Sequence, residues 1–127
     1  MPKQKIETQS APAAIGPYSQ AIKVKDFVFL SGQIPLAPEH TTLISEDFRE
    51  QAIQVIKNLQ TVCIAAGGHL DKIVKLTIYL TDLAHFSIVN EVMLQFFTEP
   101  YPARATLQVA ALPKSAQIEI EAIMAMT

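Results

Sequence analysis

The chain has 127 residues, half of them hydrophobic, and a formal net charge of −2. This length predicts a single domain over residues 1–127 with a sizeable core, and the slightly acidic balance disfavours binding a polyanion through bulk charge. The single cysteine excludes an internal disulfide, and no apolar segment is long enough for a secretion signal or a membrane span. We therefore expect a cytoplasmic protein.

The first third of the chain predicts short strands joined by turns. Residues 3–8 can form an edge strand. Residues 21–24 and 27–30 are apolar runs on either side of two polar residues, which predicts a tight β-hairpin. Gly32 follows directly in the second run, and a glycine there indicates a bulge or a close approach of the backbone to another group.

The middle of the chain predicts two helices with a strand between them. Residues 47–66 carry apolar side chains at helical spacing. Ser45 or Asp47 can cap the start of this helix, and Asp47 stands at capping-box spacing from Glu50. A second helical segment opens at Asp82 and ends before a proline. Residues 73–80 predict the strand between them. We expect four of its side chains to share the face that packs under the helices: Val74, Leu76, Ile78 and Leu80.

The last quarter of the chain predicts a second hairpin with unusual polar residues. Residues 105–112 and 117–126 are rich in strand-forming residues and are separated by a turn at 113–116. An arginine can bind a carboxylate through two parallel hydrogen bonds, and a nearby glutamate can hold a water or move a proton. A structural ion pair, or side chains that face solvent, is an equally open interpretation. A symmetric register would place four such residues on one face: Arg104, Thr106, Glu119 and Glu121.

The predicted order of elements is β-β-β-α-β-α-β-β. It indicates an α/β two-layer sandwich of the chorismate-mutase-like kind, in which one mixed sheet carries both helices on one face. The other face would be uncovered, and the mixed side chains of Lys75, Thr77 and Tyr79 predict a subunit interface there. The histidines are scattered and no nucleotide-binding motif is present, so we expect no metal and no organic cofactor.

Five segments of the chain stand out as a set of motifs. Residues 14–21 (AIGPYSQA) and 29–35 (FLSGQIP) lie in the first third, and residues 102–107 (PARATL), 110–114 (AALPK) and 118–122 (IEIEA) lie near the C-terminal end. In sequence and in order they resemble the Rid (YjgF) family of reactive-intermediate imine and enamine deaminases, whose C-terminal signature is similar to the last three. The resemblance therefore spans nearly the whole chain.

The resemblance implies hydrolysis of 2-enamine or 2-imine acids, such as 2-aminoacrylate, to 2-keto acids and ammonia. Pyridoxal-phosphate-dependent dehydratases release such compounds. Members of the family form trimers with three clefts between subunits, so the resemblance also implies a homotrimer. Arg104 would bind the substrate carboxylate. Glu121, which the family motif favours over Glu119, would orient or deprotonate the water or carry protons to the leaving nitrogen. The remaining residues expected near the pocket are Tyr18, Ser31, Gly32, Asn90 and Thr106.

Two other functions stay open beside the deaminase. A trimer without turnover could bind a 2-keto acid through Arg104 and report on it. The endoribonuclease or translation-inhibitor activity attributed to some relatives is disfavoured, because the chain is acidic and lacks a basic-aromatic stripe. Many deaminase members carry a cysteine at the position of Thr106, so substrate preference and any regulation through that cysteine also stay open.

Overall fold

A computed structural model describes residues 2–127 as one six-stranded mixed sheet with two helices. The strands are β1 Gln4–Ile6, β2 Ala21–Val24, β3 Phe27–Gln33, β4 Ile73–Leu80, β5 Ala103–Gln108 and β6 Ile118–Ala125. The helices are α1 Phe48–Ala65 and α2 Phe86–Phe96, with short 3₁₀ turns at Leu70–Lys72, Leu83–His85 and Pro113–Ser115. The strand order is β1-β2-β3-β6-β4-β5, which confirms the predicted element order and the α/β sandwich.

The core lies between the helices and one face of the sheet. The apolar stripe of α1, centred on Val55 and Leu59, is fully buried against β3 and β6. Asp47 begins this helix as predicted, because its carboxylate accepts a hydrogen bond from the Glu50 amide at 3.0 Å. Cys63 is buried in the same stripe, and burial raises its thiol pKa to about 12, as befits a core residue. Neither helix within residues 2–127 is long and apolar enough to cross a membrane.

Strand β4 has the predicted bounds, but one of the four side chains predicted to face the helices points away from them. Leu76, Ile78 and Leu80 are buried, as expected. Val74 is 46% exposed, so its placement in the core was wrong. The register shifts between Ile73 and Lys75, and this bulge turns Val74 outward while Ile73 takes the buried position.

The first hairpin and the irregularity near Gly32 are both confirmed. Strands β2 and β3 pair antiparallel around a two-residue turn, in which Lys25 adopts a left-handed φ of 53°. The pairing of β3 with β6 shifts between Leu30 and Gln33, which is the bulge that Gly32 predicted.

The second predicted hairpin is wrong, because β5 and β6 do not pair with each other. Strand β4 lies between them, parallel to β5 and antiparallel to β6. The connection from residue 109 to residue 117 passes over the end of β4, where Val109 donates to the Leu80 carbonyl at 2.8 Å. Lys114 and Ser115 adopt left-handed backbone angles in this connection, so it spans one inserted strand instead of closing a tight turn.

Candidate active site

The candidate residues of the last quarter lie on opposite faces of the sheet. Arg104 is in register with Leu76, and Leu76 with Ala122, two buried residues of the helix-side face. Glu119 and Glu121 alternate with these positions, so they point to the uncovered face. The predicted sharing of one face by the arginine, the threonine and both glutamates was therefore wrong. The inserted strand sets the register, which a direct hairpin would have set differently.

Side chains of α2 hold the guanidinium of Arg104. Its Nη1 donates to Asn90 Oδ1 at 2.6 Å and lies 3.4 Å from Met93 Sδ. Its Cζ lies 5.0 Å from the centroid of the Phe86 ring, within the range of a cation–π contact. Arg104 forms no salt bridge with another part of residues 2–127. Neutral groups thus position the guanidinium, and its positive charge is available to bind the carboxylate of a ligand.

Thr106 and a small groove adjoin this arginine. Thr106 lies two residues along β5 and therefore on the same face as Arg104. Its hydroxyl is buried without a hydrogen-bond partner among the described residues, which is uncommon for a buried polar group. A groove of about 280 Å³ beside the guanidinium is lined largely by apolar atoms of Met93, Leu94 and Tyr101. A ligand bound at Arg104 would find an apolar wall beside the guanidinium.

Glu119 lies against the bulge in β3. A Cβ atom at Gly32 would stand 2.9 Å from Glu119 Cδ, so glycine leaves room for the carboxyl in the position that it occupies here. The close approach that Gly32 predicted is therefore an approach to Glu119. Burial raises the pKa of Glu119, and the negative charge of Glu121 raises it further. A carboxyl with a raised pKa can both accept and donate a proton closer to neutral pH.

Glu121 lies beside Glu119 on the uncovered face and has a partner of its own. The hydroxyl of Tyr79 donates to Glu121 Oε1 at 2.5 Å, and this bond is the largest cause of the raised pKa of Tyr79. A groove of about 650 Å³ joins Glu121 to Tyr18 and Ser31. The structure thus brings these three predicted residues together with Gly32 and Glu119 on one face.

Gln20, which was not among the predicted site residues, holds the segment that carries Tyr18. The side chain is 4% exposed, and its Oε1 accepts from the Thr8 amide at 2.8 Å while Nε2 donates to the Pro12 carbonyl at 2.7 Å. The Gln20 carbonyl accepts from the Ser31 amide at 3.0 Å, and Ser31 Oγ donates to the Ser19 carbonyl at 2.6 Å. These bonds fix the segment to the β3 bulge. Gln20 lies within the motif of residues 14–21, but the motif does not show its role, because that role depends on partners 8 to 12 residues earlier in the chain.

The histidines remain apart from these residues. His40 Nδ1 lies 3.0 Å from the Pro38 carbonyl oxygen, and the His85 ring stacks on Phe48 with centroids 4.0 Å apart. Residues 2–127 contain no group of three His, Cys, Asp or Glu side chains placed to share a metal ion. That the protein works without a metal or an organic cofactor stays a prediction from the sequence.

Comparison with known proteins identifies the family. The family described as Endoribonuclease L-PSP matches residues 8–126. Reactive Intermediate Deaminase A from the chloroplast of Arabidopsis thaliana is 50% identical over 121 residues, which are 95% of this chain and 65% of that protein. The crystal structure of RidA from an Antarctic Psychrobacter species has a TM-score of 0.93 and 51% identity, covering 96% of this chain and 98% of that one.

Escherichia coli TdcF, whose crystal structure contains bound serine, is also similar. Its TM-score is 0.91 at 43% identity, covering 98% of this chain and 99% of that one. The fold, the matched range and these identities together show that the chain belongs to the Rid (YjgF) family, the family that its sequence segments predicted.

Proposed function

We propose that this protein hydrolyses reactive 2-imino and 2-enamino acids to 2-keto acids and ammonia. The observation that carries the proposal is the guanidinium of Arg104, which Asn90 and Phe86 hold in place without a carboxylate partner among the described residues. Such a group suits the carboxylate of a small acid. Relatives named reactive intermediate deaminase, and a relative that binds serine, support this class of substrate.

The chemistry needs little from the protein beyond positioning and proton transfer. The imine carbon is already electrophilic, so a bound water can attack it once the substrate is held by its carboxylate. A carboxylate takes one proton from that water and passes it to the nitrogen, which gives a tetrahedral intermediate with a hydroxyl and an amino group. The same carboxylate then takes the hydroxyl proton and passes it to the nitrogen as the C–N bond breaks, so that ammonia and the 2-keto acid leave. Holding the substrate and the water together in the right geometry can lower the activation barrier by up to about 7–11 kcal/mol.

Glu119 is the carboxyl that the geometry favours as the proton carrier. The resemblance to the family motif predicted this role for Glu121, with both glutamates on one face. Glu119 is half-buried, has a raised pKa and lies at the β3 bulge, whereas Glu121 is engaged by Tyr79. We therefore assign proton transfer between water and the substrate nitrogen to Glu119, and Glu121 acts as its charged neighbour.

The proposed site forms between subunits of a homotrimer. In one chain the sheet separates Arg104 from the carboxyl pair, so both can meet a substrate only if two chains contribute. Large apolar side chains on the uncovered face support such an assembly, since Phe27 and Phe29 are each about half exposed. The outer strand β5 is also an open sheet edge, which proteins usually cover. A cytoplasmic location stays a prediction.

A coupled assay tests the proposed activity. Mixed with a serine/threonine dehydratase, the protein should accelerate the appearance of pyruvate or 2-oxobutanoate, the products of 2-iminopropanoate and 2-iminobutanoate. The Arg49→Ala variant is a matched control, because Arg49 pairs with Glu91 on the helical surface. It should accelerate the reaction as the unmodified protein does. No acceleration by a folded protein would contradict the proposal, and tight binding of 2-oxobutanoate would then favour the ligand-binding alternative.

A further inference from the structure

Tyr79 connects the two members of the carboxyl pair. It lies directly opposite Glu119 across the β4–β6 ladder, but its hydroxyl reaches diagonally to Glu121. Diagonal neighbours on adjacent strands are within reach of an aromatic side chain. The ring of Tyr79 therefore flanks Glu119 on the side opposite Gly32, while its polar end engages the other carboxylate.

We propose that Tyr79 is a positioning residue that fixes the roles of the two carboxyls. Its hydroxyl holds Glu121 as the charged hydrogen-bond acceptor, which leaves the transferable proton on Glu119. Two neighbouring carboxylates do not ionise independently, and the one that receives a hydrogen-bond donor is favoured in its charged form. This inference rests on the proposed deaminase function and names the residue that prepares its acid-base group.

Other groups on this face do not provide the same contact. Lys3 and Tyr18 line the larger groove with Glu121, and Lys75 lines a neighbouring groove with it. Within residues 2–127, none of the three forms a hydrogen bond or a salt bridge with either glutamate. Strand β5 brings only Ala103, Ala105 and Leu107 to this face, and β3 brings Phe27, Phe29 and Ser31. The hydroxyl of Tyr79 is the side-chain donor that distinguishes the two carboxyls.

The Tyr79→Phe variant removes this hydroxyl and keeps the ring. We expect kcat for imine hydrolysis to fall about tenfold, as for the loss of one hydrogen bond to a charged group, while KM stays close to its original value. Without this donor the negative charge of Glu121 acts more strongly on Glu119, so the inflection of the pH–rate profile should move to higher pH. A ring that only supports packing would not move this inflection.

The experiment combines Tyr79→Phe, Glu121→Gln and the double variant with two measurements. The first is the pH dependence of kcat and KM. The second is a ¹³C NMR titration of the Glu119 carboxyl without substrate, which does not depend on deaminase activity. Glu121→Gln should lower the pH at which Glu119 titrates, because it removes the neighbouring charge, and Tyr79→Phe should raise it, because it removes the donor to that charge. In the Glu121→Gln background, Tyr79→Phe should add no further change, because the hydroxyl acts through Glu121.

Two results would overturn the inference. One is a Glu119 titration and a pH–rate profile that Tyr79→Phe leaves unchanged. The other is an equal shift from Tyr79→Phe with and without Glu121, which would mean that the hydroxyl acts on Glu119 directly. If Tyr79→Phe fails to fold, Glu121→Gln alone still tests whether Glu121 controls the titration of Glu119. A correct titration result without turnover would contradict the deaminase function alone.

Discussion

The Arg104→Ala variant is expected to lose about 100- to 1000-fold in kcat/KM for imine hydrolysis. It removes two charge-assisted hydrogen bonds to the substrate carboxylate, and about 3–4 kcal/mol of transition-state stabilisation with them. Arg104→Lys should lose about tenfold, because lysine keeps the charge but lacks the planar fork that binds a carboxylate at two points. Steady-state kinetics on a 2-imino acid generated in the assay measures both losses.

The control for this series is Arg49→Ala, which removes an arginine of α1 whose side chain is exposed to solvent. Arg49 is bonded to Glu91 at 2.7 Å, and exposed pairs of this kind contribute about 1 kcal/mol or less to stability. Its kcat/KM should equal that of the unmodified protein. An Arg104→Ala variant that folds and retains full kcat/KM would refute the role of Arg104 as carboxylate anchor.

The second large effect is expected for Glu119→Gln, which should reduce kcat by about 100-fold or more, the contribution of a positioned acid-base group. The same change should raise the thermal unfolding temperature at neutral pH. Because the pKa of Glu119 is raised in the folded state, its stabilising contribution is present at low pH and is lost as the pH rises through that value. Glutamine carries no charge to bury, so it avoids this loss.

Glu121→Gln provides the matched comparison two residues along the same strand. It keeps the length of the side chain but weakens the acceptor of the Tyr79 hydroxyl, so it should not be stabilising. We expect a smaller loss of kcat than for Glu119→Gln and a shift of the pH–rate profile to lower pH. If Glu121→Gln instead abolishes turnover and Glu119→Gln does not, the proton carrier is Glu121, as the family motif suggested.

Local sequence patterns predicted most of the elements but not their pairing in the C-terminal half. The cap at Asp47 and the bulge at Gly32 depend on neighbouring residues and on backbone conformation, and both could be inferred. The pairing of β5 with β4 depends on a connection that passes over an intervening strand. Two strand-forming runs joined by a polar segment look the same in either case, so the simpler hairpin was wrong.

The predicted pairing of β5 with β6 also explains why the candidate site residues were wrongly placed on one face. The sequence identified Arg104, Asn90 and Glu119 as polar groups worth attention, but a shared face was inferred from the wrong register. With β4 inserted, Arg104 aligns with Ala122 across two ladders and meets α2 instead of the glutamates. The partners of Gln20 and Tyr79 were also beyond sequence analysis, because both bond to residues that are distant along the chain.

The separation of Arg104 and Glu119 by the sheet leads to the most direct test of a site shared between subunits. Arg104→Ala and Glu119→Gln subunits, each nearly inactive alone, would be co-expressed with different tags and purified as mixed assemblies. If each cleft joins Arg104 of one subunit to Glu119 of the next, about a quarter of the clefts are intact in a random mixture, and activity should recover to about that fraction. Mixed assemblies no more active than either variant alone would contradict a site built from two subunits.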